Sequence, residues 1–526
     1  MYDVLISGGR VITGRGNPWF EGDVAVVGGS VAKVGRLGDA EATLRLDARD
    51  CFVTPGFIDA HSHSDLYLIA EPEAEAKIMQ GVTTENVGMD GMSVAPIKES
   101  DVADWQTHLS GLSGTPPVDW TWRSFADYLD VLDGLHTSDN VSSYVGLGTI
   151  RLMVMGMASR PAERTEVDQM RALACTAMEE GARGISSGLI YPPSQYQSID
   201  EVVEIARAVC AYDGIYNVHI RSEGDGLIES VAEVIEIGRR SGIPVGITHF
   251  KAMGRRNWGL SEKTLAMVDA ARAAGTDVTL EQYPYVAAST MFHAVIPPWH
   301  FAQGPHALVR ALREDRETIK HDIAERRDWE NWASNNGWEN IVVSSVGSEA
   351  NKRYEGKSVA DIAKARGLDD PADAALDLLA EEDLAVGMVV FCMDEDDVTR
   401  IMRHPTVSII TDGLLGGKPH PRVYGTFPRI LGRYVREQGV LGLEDAVRKM
   451  TSLPAEKLRM RTKGVLAEGY DADLCVFQPE TVGDNATFDD PRQYSSGVRY
   501  VMVNGTLVVD QGKHTGARPG RTIRAR

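Results

Sequence analysis

Two histidines on either side of a serine, His61 and His63, are the first residues of this chain whose types and spacing suggest chemistry. They follow the turn signal Pro55-Gly56 and the apolar pair Phe57-Ile58. In an extended segment, side chains at positions i and i+2 point to the same face, so both imidazoles can reach one metal ion. The same motif occurs by chance with solvated histidines, so a metal site needs further ligands.

Three further candidate ligands each stand at the end of a short run rich in β-branched residues. His219 follows residues 214–218, His249 follows 244–248, and Asp412 follows 407–411. Stretches with helical periodicity, such as residues 165–180, 200–211 and 261–274, separate the strand-like runs. A (β/α)8 barrel gathers its active site at the C-terminal ends of its strands. The sequence therefore predicts an α/β fold, a TIM-like (β/α)8 barrel with a metal centre at that end.

Composition limits the classes of function that are open to the chain. Its 526 residues are too many for one ordinary core and suit a barrel with a smaller domain. A hydrophobic content of 43% with 25% charged residues is typical of a globular protein. The net charge of -21 argues against nucleic acid and anionic membranes as partners, because both need a surface rich in Lys and Arg.

Cysteine usage and the N-terminal residues indicate a cytoplasmic protein. The five cysteines are scattered and odd in number, which favours reduced thiols over a disulfide framework or a zinc knuckle. The first residues lack a basic segment followed by a long apolar one, and no stretch approaches the roughly 20 apolar residues of a membrane span. The sequence leaves the oligomeric state open, a homo-oligomer included.

Both chain ends carry short apolar strands separated by glycine turns, such as the predicted turn at Gly8-Gly9. Neither end is able to bury a core alone, so residues 1–55 and 461–526 are expected to form the two parts of one small β-sandwich. The barrel is expected over 56–460. Near 298–340 the alternation breaks, and 310–332 has the pattern of a charged helix. This predicts an insertion that either covers the pocket or forms a solvated surface helix.

Several motifs resemble those of the amidohydrolase superfamily and, within it, of the N-acyl-D-amino-acid deacylases (D-aminoacylases), from end to end. The matching stretches are PGFIDAHSH (55–63), QGVTTE (80–85), SSGLIYPP (186–193), HFK (249–251), QYPY (282–285), TDG (411–413), PHPR (419–422) and YGTF (424–427). The resemblance implies metal-dependent hydrolysis of the amide bond of a small molecule, an N-acyl-D-amino acid, to a carboxylate and a free D-amino acid.

The resemblance also implies a centre that holds one or two zinc ions. His61 and His63, with Asp412, would hold one ion, and His219 and His249 would hold the other. Neutral imidazoles and carboxylates suit a divalent ion that lowers the pKa of a bound water towards neutrality. Asp412 would be the general base that takes the proton of this water and the acid that gives it to the leaving amine. Without the other motifs, Thr411-Asp412-Gly413 would be interpreted as a turn.

The ligand between the two metal positions departs from the family pattern. A carbamylated lysine is excluded, because no lysine occurs between Lys98 and Lys251. The resemblance places a cysteine where this chain has Asp90. A carboxylate can bridge two metal ions as a thiolate can, but it is a harder ligand. The number of bound ions, one or two, therefore stays open. Asp90 is predicted to be a metal ligand, and the alternative is a turn residue before Gly91. A second departure is Leu147, where family members often carry histidine.

Substrate recognition in the family depends on cations and hydroxyls that fix the carboxylate of the amino acid. The matching positions are Lys251, Arg422, Tyr191 and Tyr283. Each has a structural alternative: the tyrosines can pack in the core, and Arg422 can pair with a neighbouring carboxylate. Arg255-Arg256 are only a weak indication of an acidic side chain in the substrate.

Two other functions stay open at this point. One is hydrolysis of a different amide or cyclic amide within the same superfamily, which the departures at Asp90 and Leu147 favour. The other, and the least favoured, is a non-catalytic scaffold. Degraded relatives of enzymes lose ligands, whereas the predicted ligands of this chain are all present.

Overall fold

The computed structural model describes residues 1–525. Its strands are β1 (Tyr2–Val11), β2 (Phe20–Val27), β3 (Ser30–Gly35), β4 (Ala42–Asp47), β5 (Phe52–Pro55), β6 (Phe57–Asp59), β7 (Val82–Val87), β8 (Asn140–Ser143), β9 (Val145–Gly146), β10 (Gly184–Gly188), β11 (Ile215–His219), β12 (Val245–Ile247), β13 (Val278–Gln282), β14 (Ala287–Met291), β15 (Ile341–Val346), β16 (Val386–Phe391), β17 (Val407–Ile409), β18 (Leu474–Phe477), β19 (Val498–Val503), β20 (Thr506–Asp510) and β21 (Lys513–His514).

The α-helices of the same residues are α1 (Tyr67–Ala70), α2 (Glu75–Ile78), α3 (Val102–Ser113), α4 (Phe125–Leu135), α5 (Leu147–Met155), α6 (Arg164–Glu179), α7 (Ile199–Cys210), α8 (Leu227–Ser241), α9 (Ser261–Ala273), α10 (Pro305–Glu314), α11 (Arg316–Glu325), α12 (Trp332–Asn336), α13 (Val359–Arg366), α14 (Pro371–Glu381), α15 (Glu395–Arg403), α16 (Arg422–Arg429), α17 (Leu443–Met450) and α18 (Ser452–Lys457). A π-helix over Ile430–Glu437 continues α16. None of the helices in residues 1–525 is both long and apolar enough to cross a membrane.

Parallel strands form a closed barrel in the middle of the chain. β6, β7 and β8 pair in that order, and β9, β10, β11, β12, β13 and β17 pair in a second series. Tyr144 alone separates β8 from β9, so these two strands occupy one position of the barrel. A parallel bridge between Ser62 and Gly413 joins the first position to the last. The predicted eight-stranded arrangement follows, with short helix-containing crossovers on its outside.

The strands are buried on both faces because each lies between the barrel interior and the surrounding helices. Every residue of β7, β10 and β11 is buried. Of these three strands, β11 corresponds to the strand-like run at 214–218 that the sequence predicts, whereas β7 and β10 contain too many polar residues or glycines for such a prediction. The expected helices over 165–180, 200–211 and 261–274 lie within one residue of α6, α7 and α9.

The insertion before the last barrel strand is much longer than the predicted segment at 298–340. Between β13 and β17 the chain forms an antiparallel sheet in the order β14-β16-β15, together with helices α10 to α15. The sequence analysis did not predict these antiparallel strands, because local periodicity cannot distinguish a barrel strand from an antiparallel one. The expected single charged helix over 310–332 is instead α10 and α11, which bury Leu308, Leu312 and Ile319.

Strands from both chain ends form one nine-stranded sheet beside the barrel. Its order is β21-β20-β19-β18-β5-β1-β2-β3, with β4 paired to β1. A separate apolar cluster draws on both ends, from Val4 to Met502. A bridge between Ser30 and Asp471 joins the two sides of this sheet. The predicted domain limits at 55/56 and 460/461 stay predictions.

Two details of the N-terminal strands differ from the expectation. Gly8-Gly9 does not form a turn: β1 continues through it with a bulge, and Gly8 adopts a φ of +73° that favours glycine. The module is also not purely antiparallel, since β4 and β5 run parallel to β1. Strand direction depends on long-range pairing, which local patterning does not encode.

Candidate functional site

The six predicted metal ligands meet at the C-terminal end of the barrel. His61 lies two residues beyond β6, Asp90 three beyond β7, His249 two beyond β12, and Asp412 three beyond β17, while His219 ends β11. His63 completes the set, and all six residues are buried, with at most 5% of the surface of each residue exposed. The barrel therefore brings together residues that are separated by as many as 351 positions, from His61 to Asp412.

Asp90 lies at the centre of this group. Its Oδ2 atom is 3.6 Å from His61 Nε2, 3.4 Å from His63 Nε2, 3.8 Å from His219 Nδ1 and 3.6 Å from His249 Nε2. One carboxylate oxygen thus faces four imidazoles. Ligand atoms bound tetrahedrally to one zinc ion lie about 3.3 Å apart, given Zn–N distances of about 2.0–2.1 Å. The spacing fits a carboxylate shared by two ions.

The site contains polar atoms whose hydrogen-bonding capacity is unused by the described residues. His61 Nε2, Asp90 Oδ1 and both ring nitrogens of His219 are buried and have no hydrogen-bond partner in residues 1–525. Two clusters could each hold an ion, one made of His61, His63, Asp90 and Asp412, the other of Asp90, His219 and His249. Unpaired buried nitrogens are costly unless something binds them, so the donor set fits divalent metal.

Backbone strain accompanies three of the candidate ligands. Asp90, His249 and Asp412 have φ angles of +53°, +30° and +49°, in the left-handed region that non-glycine residues rarely adopt. The Asp90 loop has no room to relax: a Cβ atom on Gly188 would lie 2.4 Å from the Asp90 carbonyl oxygen. The fold therefore holds these ligands in a conformation that local preferences disfavour.

Asp412 has a different environment on each carboxylate oxygen. Oδ1 lies 3.4 Å from His61 Nε2 and 3.3 Å from His63 Nε2, while Oδ2 lies 3.0 Å from the Arg422 guanidinium. Burial alone would raise the pKa of Asp412, but Arg422 and the neighbouring histidines hold this pKa below its ordinary range. The carboxylate is therefore ionised and able to accept a proton.

The histidines are oriented by two glutamates to which the sequence reasoning gave no role. Glu281 accepts from His61 Nδ1 at 3.0 Å, and a carboxylate oxygen of Glu223 lies 2.9 Å from His249 Nδ1. At His61 the bond at Nδ1 fixes the tautomer and leaves Nε2 free to bind metal. At His249, Nδ1 also lies 2.8 Å from Lys251 Nζ, and Nε2 lies 3.0 Å from Thr248 Oγ1. Lys457 pairs with the other oxygen of Glu281. The only indication of these glutamates in the sequence is their proximity to candidate residues: Glu223 lies four residues after His219, and Glu281 directly precedes Gln282.

The charge balance favours a bound cation. Burial lowers the pKa of His61, yet the Asp90 and Asp412 carboxylates outweigh it and raise this pKa to about 10. The same histidines hold the pKa of Asp90 well below its ordinary value, against the opposing effect of burial. Without metal, the carboxylates draw protons onto imidazoles that metal binding requires to be neutral.

The four predicted substrate-binding residues all border the metal cluster, with different partners. Lys251 pairs with Glu223, and Arg422 lies 3.0 Å from Asp412 as the structural alternative anticipated. The Tyr191 hydroxyl is 2.8 Å from Thr290 Oγ1. The Tyr283 hydroxyl is buried without a partner among the described residues, and its ring lies 4.5 Å from the Arg422 guanidinium. The Tyr283 hydroxyl is therefore available to donate a hydrogen bond to a substrate.

The long insertion brings Trp329 and Glu330 close to the site. Both line a small enclosed cavity together with Tyr191 and His293. Burial raises the pKa of Glu330 to about 7. Arg255-Arg256 do not reach this cavity, and Leu147 is fully buried in the main apolar core.

Comparisons with known proteins agree with this arrangement. The amidohydrolase family model matches residues 46–509. The D-aminoacylase of Alcaligenes xylosoxydans xylosoxydans is 36% identical over 523 residues, which cover 99% of this chain and 97% of that protein. A solved D-aminoacylase with a binuclear metal centre superposes with a TM-score of 0.84 at 36% identity, over 100% of both chains.

The N-acyl-D-glutamate deacylase of Bordetella bronchiseptica was solved with zinc and a phosphonate mimic of the tetrahedral intermediate. It superposes with a TM-score of 0.84 at 34% identity, over 100% of both chains. These full-length superpositions confirm the predicted fold class. The chain belongs to the amidohydrolase family and, within it, to the group of the N-acyl-D-amino-acid deacylases.

Proposed function

We propose that the protein hydrolyses the amide bond of N-acyl-D-amino acids at a centre of zinc ions, releasing a carboxylate and a free D-amino acid. The observation that carries this proposal is the position of Asp90 Oδ2, 3.4 to 3.8 Å from four imidazole nitrogens beside an ionised Asp412. The full-length likeness to a D-aminoacylase and to a zinc-bound D-glutamate deacylase supports the substrate class.

The ligands fall into two groups that have Asp90 in common. His61, His63 and Asp412 would hold one ion, and His219 and His249 would hold the other. Zinc bound there would supply Lewis acidity and lower the pKa of a water molecule.

Asp412 is the residue placed to move protons. Its ionised carboxylate takes a proton from the attacking water and delivers it to the leaving nitrogen, so that the amine departs neutral. Arg422 keeps Asp412 charged between turnovers and fixes one of its oxygens, because the guanidinium stays 3.0 Å from Oδ2. The other oxygen, Oδ1, faces His61 and His63 and would be the atom that contacts the ion beside the attacking water.

Tyr283, Lys251 and Tyr191 position the substrate. The free Tyr283 hydroxyl donates a hydrogen bond to an oxygen of the substrate, in a site without bulk water that strengthens this bond. Lys251 offers a positive charge near His249 for the substrate carboxylate. Tyr191 lies against His219, with ring centroids 5.1 Å apart, and closes the side of the pocket.

We infer that neutral side chains are preferred over acidic ones. The wall beside Tyr191 is formed by apolar groups, including Phe301 and Trp329, and by the Glu330 carboxyl group. None of these wall residues in the described chain is Lys or Arg. An acidic side chain buried against this wall would have no cation to pair with, which costs about 2–5 kcal/mol.

The cellular setting that we propose is the cytoplasm, with a small molecule as the partner. Cys51, Cys392 and Cys475 are buried, Cys175 and Cys210 are half-buried, and all five are free thiols. Such thiols are typical of a reducing compartment.

Paired panels of N-acetyl-D- and N-acetyl-L-amino acids test the function. Zinc-reconstituted protein should release free amine from the D series, fastest with neutral side chains such as D-leucine and D-methionine, and metal-stripped protein should release none. A cyclic amide such as a hydantoin serves as the control substrate. Turnover of the L series or of the cyclic amide alone would contradict the proposal.

A further inference from the structure

A cavity of about 930 Å³ lies at the end of the barrel opposite the metal cluster. Its lining includes Asn140, which begins β8, Arg183, which precedes β10, and Asp213, which precedes β11. These are N-terminal ends of barrel strands, whereas the candidate metal ligands follow C-terminal ends. The cavity is therefore independent of the proposed reaction. Residues 521–525 and 459–463 form most of the rest of its wall, with Met178, Tyr212, Asp471 and Asn504.

Positive charge dominates this wall. The cationic lining residues are Arg183, Arg459, Arg461, Lys463, Arg521 and Arg524, and the anionic ones are Asp213 and Asp471. The chain as a whole carries a net charge of -21. The cationic side chains of this cavity therefore contrast with the negative net charge of the whole chain. Their concentration creates a local positive potential.

Half of these cations are neutralised by carboxylates. Arg459 lies 3.6 Å from Asp213, and Lys463 lies 3.1 Å from Asp471. Arg524 pairs with Asp130 at 2.6 Å, outside the cavity lining.

The guanidinium groups of Arg183, Arg461 and Arg521 have no carboxylate oxygen within 4.0 Å among residues 1–525. Arg461 and Arg521 are exposed and hydrated. Three unpaired guanidinium groups therefore border the same space.

Arg183 shows that this charge is not merely a solvated surface feature. Its side chain is buried, and its Nη2 atom donates to the carbonyl oxygens of Ile523 and Arg524, each at 3.1 Å. Its Nε atom is buried and has no hydrogen-bond partner in the described chain. Burial lowers the pKa of Arg183 to about 10. A buried cation that faces only carbonyl oxygens is costly, and a nearby anion would reduce this cost.

We propose that this cavity binds a phosphate group, carried by a small organic molecule or as the free ion, through Arg183, Arg461 and Arg521. Guanidinium forks match the oxygens of a phosphate and bind it with two parallel hydrogen bonds. The volume exceeds that of a lone phosphate ion and lies in the range of small-molecule sites, about 300–1,000 Å³. Binding also stabilises the docking of residues 521–525 on β8, because Arg521 and the carbonyl partners of Arg183 belong to that segment.

Calorimetric titration of the full, zinc-loaded chain with inorganic phosphate and with ribose 5-phosphate tests this site, against potassium chloride at equal ionic strength. Arg461→Gln/Arg521→Gln removes two exposed cations of the cavity. Arg164→Gln/Arg171→Gln is the matched control, since it removes two exposed cations of α6 that do not line the cavity. Neither pair touches the metal cluster.

The wild-type chain and the control pair should bind one phosphate-bearing ligand saturably. The cavity pair should bind at least about tenfold more weakly, because hydrogen bonds to charged groups are lost. Tighter binding of ribose 5-phosphate than of phosphate identifies an organic ligand, and equal binding identifies the phosphate group alone. Absence of saturable binding, or equal binding by the cavity pair, would overturn the proposal, and the second result would place the anion at the zinc centre.

Discussion

Single residues decide the chemistry of this site, and Asp90 matters most among them. It is shared by both potential ion sites, and it replaces the cysteine that the family resemblance implies at this position. A carboxylate cannot be oxidised as a thiolate can, and it favours harder metal ions. The two outer glutamates, Glu223 and Glu281, then orient the histidines around it.

Removing the shared carboxylate should deplete the centre of metal. We expect Asp90→Ala to bind at most one zinc ion per chain where the wild type binds two, because the ligand common to both clusters is lost. Metal content by plasma mass spectrometry after dialysis measures this. Met92→Leu, a volume-conserving change two residues further along the same loop, removes no ligand and serves as the comparison. Undiminished zinc in Asp90→Ala would show that Asp90 is only a turn residue.

Arg422 should control the pH at which Asp412 works. With Arg422→Met the pKa of Asp412 rises, since an adjacent guanidinium lowers a carboxyl pKa by about 1–3 units. Asp412 must be ionised to accept a proton, so the acidic limb of the kcat/KM profile should move to higher pH. Arg422→Lys keeps the charge and should keep the limb near that of the wild type. An acidic limb that is the same in both variants would disprove this role.

At the scale of elements, the strand ends and the long insertion together build the pocket. Each ligand lies zero to four residues beyond its strand, so a small shift in strand register would move it away from the other ligands. A backbone bond from Asp412 N to the His61 carbonyl, 3.0 Å long, joins the first and last strands at the site. The insertion between β13 and β17 adds Trp329 and Glu330 over the opening.

Glu330 should make the insertion sensitive to pH. Its folded-state pKa of about 7 exceeds the ordinary value of 4.5, so the stability that the protonated form provides is complete below pH 4.5 and is lost as pH rises through 7. Glu330→Gln cannot ionise, and it should stabilise the fold at pH 8 by about 2–3 kcal/mol, with little effect at pH 4.5. Unfolding midpoints across pH measure the difference. A gain that does not vary with pH would contradict this explanation.

At the scale of the whole molecule, a metal bound by the candidate ligands would link several barrel strands. The candidate ligands follow five of the eight strand positions. The terminal sheet lies beside the barrel, and residues 521–525 form backbone hydrogen bonds with Val141 of β8. Anything that binds only the folded chain stabilises it by mass action.

Zinc should therefore raise the thermal midpoint of metal-stripped protein. Free zinc at about 1,000 times its Kd contributes about 4 kcal/mol. With an unfolding entropy of about 2.1 cal/mol/K per residue, a chain of 526 residues gains about 4 °C. Differential scanning calorimetry with and without zinc measures the shift, and magnesium is the control ion, because it binds imidazole poorly. No rise with zinc would count against a centre that spans these strands.

The sequence by itself determined the candidate ligands and the strand-like runs that become β6, β11, β12 and β17. Apolar runs and the polar residues that end them are local features, and the identities of His61, His63, His219, His249 and Asp412 could be read directly from them. The starts of α6, α7 and α9 were likewise evident within one residue.

Only the tertiary structure decided how these residues face one another. The approach of Asp90 Oδ2 to four imidazoles, the pairing of Arg422 with Asp412 and the roles of Glu223 and Glu281 depend on closure of the barrel. The antiparallel sheet of the insertion and the parallel β4 also depend on pairing between distant segments. Such distances are set by long-range packing and hydrogen bonding, which the order of neighbouring residues does not specify.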